Sequence, residues 1–108
     1  MKSDLIKGHL DLLVLTILSS GTLHGYAVIE QLRSRSGETF DLPEGTVYPA
    51  LHRLERAGLL TSEWADVGGR RRRMYRLSAE GQRALAARRA EYERFDTAMK
   101  AIVYGATS

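Results

Sequence analysis

Four consecutive arginines, Arg70 to Arg73, follow directly on Gly68-Gly69. Leu59 to Asp66 reads as a strand, Val67-Gly68-Gly69-Arg70 as a turn, and Arg71 to Leu77, with Tyr75, as the returning strand. A hairpin that carries its densest charge at the tip holds that charge away from any core. Alternation along the strand sends Arg71 and Arg73 to one face and Arg70 and Arg72 to the other. Arg70, Arg71 and Arg72 are therefore the candidates for contact with a polyanion. Arg73 is expected to meet an acid across the hairpin, such as Glu63.

Three helical stretches precede the hairpin. Leu5 to Leu18 is apolar around most of its circumference: Leu10, Leu13, Val14 and Ile17 form one stripe, and Leu12 and Leu15 lie off it. A helix apolar on two sides needs two partners, here the domain core and a second subunit. Ser19-Ser20-Gly21-Thr22 ends it. A second helix is expected from about His24 to Arg35, buried through Ala27, Val28, Ile29 and Leu32, with Tyr26 buried near its start. Phe40-Asp41-Leu42 reads as an extended stretch or a small strand. A third helix opens near Pro43-Glu44, carries Val47, Ala50, Leu51 and Leu54 on one stripe, and ends at Gly58. Pro49 implies a start closer to Thr46 or a kink. After the hairpin, Ser78 is a good N-cap for a long helix to about Val103. In it Leu85, Tyr92 and Met99 are seven apart, as are Phe95 and Ile102, which gives a heptad seam interrupted at Arg88.

The fold expected is therefore mostly α with a β-hairpin: a winged helix-turn-helix over residues 1–77 and a C-terminal dimerisation helix over 78–108. A helix about 10–12 Å across fits a major groove about 12 Å wide. A basic hairpin beside it can reach an adjacent groove or phosphate row. On the third helix, Thr46, Tyr48, Pro49, His52 and Arg53 lie away from the apolar stripe and are the candidate DNA-reading residues, together with Arg70, Arg71 and Arg72. The candidate dimer interface is Leu12, Leu15, Leu85, Tyr92, Phe95, Met99 and Ile102.

Composition narrows the alternatives. The net charge is only +3, but 13 of the 16 basic residues are arginines, whose planar forks suit phosphates and guanine edges. The chain has no cysteine, which removes disulfides, thiolate metal sites and cysteine nucleophiles. His9, His24 and His52 fall on three separate predicted helices without metal-ligand spacing. No nucleophile elbow, phosphate-binding glycine loop or HExxH helix appears. No enzyme, metal or cofactor is expected. Asp11 interrupts the first apolar run, which is also too short to span a bilayer, so a cytoplasmic protein without a signal peptide or membrane contact is expected.

The blocks GHLDLLVLTILSSGTLHGYAVIEQL, GTVYPALHRLERAGLL and GRRRRMYRLSAEG resemble those of the PadR family of bacterial transcriptional regulators. The resemblance runs from about Lys7 into the last helix, and its single C-terminal helix is similar to the smaller branch of the family. It implies a homodimeric repressor on an inverted-repeat operator, often of the ATGT…ACAT type, with the third helix as reader and the hairpin as wing. Some small members bind flat aromatic compounds between subunits, which implies a possible effector site at Tyr92 and Phe95. From another class stands a winged-helix protein-interaction module that docks on a protein and leaves DNA alone. Such a module has no need of a clustered arginine wing.

Overall fold

The computed structural model describes residues 6–105. Among these residues the order is α1 (Leu10–Leu18), β1 (Leu23–His24), α2 (Gly25–Arg35), α3 (Glu44–Arg56), β2 (Leu60–Val67), β3 (Arg70–Leu77) and α4 (Ala79–Val103). The three strands form one antiparallel sheet in the order β1-β3-β2. This is a winged helix-turn-helix with a long C-terminal helix.

Local chemistry explains each boundary. α3 closes in a Schellman motif: Gly58 takes φ 82°, its N–H donates to the Glu55 carbonyl at 2.9 Å, and the Leu59 N–H to Leu54 at 3.0 Å. The hairpin turns on Gly68 and Gly69, both at positive φ, which fits the right-handed twist of the strands it joins. Ser78 caps α4 by accepting from the Gly81 N–H at 3.0 Å, and its hydroxyl donates to the Gly58 carbonyl at 2.6 Å. The start of α4 is thereby fastened to the turn that ends α3.

Several expectations need correction. His24 does not open α2; it forms the second residue of β1, pairing with Met74, while Leu23 pairs with Tyr75. It still acts on the helix, because its Nδ1 accepts from the Ala27 N–H at 3.2 Å. α3 does start at Glu44, as the Pro43-Glu44 pair indicates, and not at the later Thr46 that Pro49 allowed, since the Thr46 and Val47 N–H groups already donate to the Pro43 carbonyl. Phe40-Asp41-Leu42 is not a strand; Leu42 enters the core from irregular backbone. Tyr26 is half-exposed and stacks on the His24 ring. Leu5 lies outside the described residues.

The core gathers Leu10, Val14, Leu15, Ile17 and Leu18 of α1 with Val28, Leu32, Val47, Leu51, Leu54, Leu60, Tyr75 and Leu85. Leu15 is fully buried and Leu85 only 6% exposed, so neither supplies surface to a partner. At about 100° per residue, the buried arc of α1 is centred between Val14 and Leu18, beyond the stripe expected from the sequence. Leu12 and Leu13 take the other side, half-buried. Gly81 and Leu85 also carry the core across the boundary expected at residue 77, so the first two turns of α4 pack as part of the winged helix.

Candidate nucleic-acid interface

The exposed side of α3 presents Pro49, His52, Arg53 and Arg56, with Thr46 and Tyr48 partly covered. Tyr48 is held by packing: its ring lies over Gly25, where a side chain would meet the phenol Cζ at 2.7 Å. Gly25 thus lets α2 and α3 approach closely and fixes the Tyr48 ring, which stands tilted beside His52 with centroids 6.5 Å apart. Nothing in the sequence marked Gly25 apart from its position before Tyr26.

Between α3 and the inner face of the wing runs an open groove of about 390 Å³. Tyr48 and His52 form one wall; Trp64, Arg71 and Arg73 form the other, with His24 and Arg72 at its edge. Arg70 lies outside the lining, at the hairpin tip opposite Val67. The acid that meets Arg73 is not Glu63, which pairs with Met74, but Glu55 of α3, 3.5 Å away. Glu55 also accepts from the Ser62 hydroxyl, tying the wing to the end of α3. Across the hairpin Arg73 faces Trp64, and the guanidinium carbons of Arg73 and Arg71 lie 5.5 and 5.7 Å from the centre of its rings.

Charge in the groove acts on its neighbours. Burial lowers the His24 pKa from 6.5, and the Arg72 cation lowers it further. The neutral imidazole is the form that can accept from the Ala27 N–H, so burial and wing charge both favour the cap. Burial pushes the Tyr75 phenol upward, with the Glu55 carboxylate adding to the effect.

Arg53, exposed on α3, is held by a partner on α1. Its guanidinium donates to both oxygens of Asp11 on α1, at 2.9 and 3.1 Å. Arg88 of α4 approaches the same carboxylate at 3.5 Å. Asp11 therefore joins α3 to α4 through α1, a role hidden in the sequence by its separation of 42 positions from Arg53.

α1 and α4 border a second groove of about 400 Å³, lined by His9, Leu12, Leu13, Phe40, Tyr92 and Phe95 among others. The His9 ring meets Tyr92 at 5.8 Å and Phe95 at 5.6 Å. Tyr92, Phe95, Met99 and Ile102 are all exposed on this single chain. Among the described residues no group of acids and histidines is arranged to hold a metal ion, and no helix is long and apolar enough to cross a membrane.

Residues 14–87 match the transcriptional regulator PadR-like family. The chain belongs to the PadR-like family. The PadR-family fold recurs in a transcriptional regulator from Clostridium thermocellum, 29% identical, with a TM-score of 0.84 over 93% of this chain and 95% of that one. Among curated proteins, the transcriptional regulator Rv3488 of Mycobacterium tuberculosis is 48% identical over 63 residues, 58% of this chain and 56% of that protein. Bacillus subtilis PadR, whose structure was solved in complex with operator DNA, is 25% identical with a TM-score of 0.66. That match covers 73% of this chain and 45% of the Bacillus protein. As a PadR-family member, the chain is a transcriptional regulator and not an enzyme.

Proposed function

We propose that this protein binds an inverted-repeat operator as a homodimer and represses transcription from it. The observation that carries the reading is the groove between α3 and the wing, where exposed helix residues and Arg71 to Arg73 face one open space. Thr46, Tyr48, Pro49 and His52 line the reading side of α3, and Arg70, Arg71 and Arg72 serve phosphates from the wing. Arg53 contributes from the position at which Asp11 holds it. The complex of Bacillus subtilis PadR with operator DNA supports this use of the fold.

Dimerisation is carried by the exposed end of α4. Tyr92, Phe95, Met99 and Ile102, with Leu12 from α1, make an apolar face of the sort monomeric proteins seldom leave uncovered. Two copies joined there present two reading heads, as needed for major grooves about 34 Å apart. The aromatic-lined groove between α1 and α4 adjoins this face, and it gives a small aromatic effector a place to act on the spacing of the heads.

The test is titration of a duplex carrying the ATGT…ACAT repeat against salt, for the wild type and Arg71→Ala/Arg72→Ala. The wild type should bind with a log–log slope of about −0.9 per phosphate neutralised, and the double variant should bind on the order of 10-fold more weakly with a shallower slope. Failure to bind any duplex would replace this reading with a winged-helix module that docks on a protein.

A further inference from the structure

Trp64 is the only tryptophan of the chain, and it is 54% exposed on the groove face of β2. An indole so placed adds nothing to the core, and it lies away from the apolar face of α4. What it touches is charge. Arg73 faces it across the hairpin, and Arg71 lies two residues along β3 on the same face. Both guanidinium carbons fall within the roughly 6 Å over which the negative face of an aromatic ring attracts a cation.

The two arginines differ in their other partners. Arg73 is drawn toward Glu55 as well as the ring. Arg71 stands nearer the tip, in register with Asp66, and its guanidinium rests over the indole. Side chains two apart on one strand face carry like charges that repel, and each is long enough to sample many rotamers. A ring under both offsets the repulsion and restricts the rotamers before any ligand arrives. Binding then has less ordering cost to meet.

We propose that Trp64 is a positioning residue for DNA binding: its ring holds Arg71 and Arg73 at a set spacing along the groove between α3 and the wing, so that a phosphate backbone meets an ordered pair of cations. This rests on the DNA reading above. The chemistry needs a π face at position 64 and not merely apolar bulk. Phenylalanine should therefore substitute for tryptophan, and leucine should not.

The experiment measures anisotropy of the labelled operator duplex over a salt series for the wild type, Trp64→Phe and Trp64→Leu, with thermal melting of each variant. Trp64→Phe is expected to bind within about twofold of the wild type, while Trp64→Leu weakens binding about 5-fold and flattens the salt slope by up to about 0.9. Emission of the lone tryptophan should change as the wild type saturates. Equal binding by wild type and Trp64→Leu would overturn the proposal, as would Trp64→Phe binding as weakly as Trp64→Leu. If Trp64→Leu melts early, the folded Trp64→Phe and the wild-type emission still decide: loss of binding by the first, or an unchanged second, overturns it. A wild type that binds no duplex would instead remove the DNA reading, and this proposal with it.

Discussion

The two ends of α4 share one helix and one apolar repeat, yet they stand in different surroundings. At the first end Gly81 and Leu85 are buried against the α3–β2 turn and the core. At the other, Tyr92, Phe95 and Met99 are each more than 40% exposed and Ile102 is 83% exposed. Leu85, Tyr92 and Met99 keep strict seven-residue spacing across this change. A heptad seam records which side of a helix is apolar; it does not record whether the chain's own core or another molecule covers it.

Substitutions at the two ends should separate these roles. Leu85→Ala is expected to destabilise the protein by about 3 kcal/mol, through lost burial and the cavity left behind. The loss should appear as a lower melting temperature at every protein concentration. Phe95→Ser should act mainly by removing the concentration dependence of melting that a dimer confers. If Phe95→Ser lowered melting as much as Leu85→Ala in dilute and concentrated samples alike, the two ends would not differ as described.

Next in size is Gly81→Ala. A Cβ at this position overlaps the Leu59 carbonyl oxygen, which is backbone and cannot swing aside. Alanine favours a helix over glycine by about 1 kcal/mol, whereas overpacking against fixed backbone costs about 3 kcal/mol, so sterics win. A net loss of about 2 kcal/mol in denaturant unfolding is expected. A neutral or stabilising result would show that the pinned end of α4 is loosely seated.

The smallest effect concerns pH. The folded-state pKa of His24 lies below its ordinary 6.5, so the unfolded chain takes up the proton first. Stability present above pH 6.5 is therefore lost as pH falls from that value through the lower folded-state pKa, where the imidazole ceases to accept from Ala27. The loss should not exceed the worth of a helix cap, about 1 kcal/mol, and His24→Asn should abolish this step while keeping a capping oxygen. An unchanged pH profile in His24→Asn would detach the cap from the titration.

How much the sequence discloses follows the same division. Features set by neighbours in the chain were legible: the Gly68-Gly69 turn, the Gly58 stop and the Ser78 cap each depend on a few consecutive residues. β1 was not, because two residues have no period and gain their strand geometry only from Leu23 and His24 pairing with β3. The orientation of α1 was missed because leucines surround most of it, and Asp11, which interrupts the apolar run, is in fact a tethered carboxylate. Within the groove, the arginine cluster was evident; its organisation by Trp64 and Glu55 required the hairpin register and the approach of α3.

Asp11 gives that tethered carboxylate a thermodynamic meaning. Arg53 donates to both oxygens of Asp11 and Arg88 approaches one of them, so an influence that withdraws Arg88 leaves Asp11 more fully to Arg53, and one that withdraws Arg53 leaves it more fully to Arg88. Linkage requires the effect to be equal in both directions. Partly exposed ion pairs contribute at most about 1 kcal/mol, so the exchange amounts to a few-fold in affinity. The last helix and α3 are thus linked through the sharing of one negative charge.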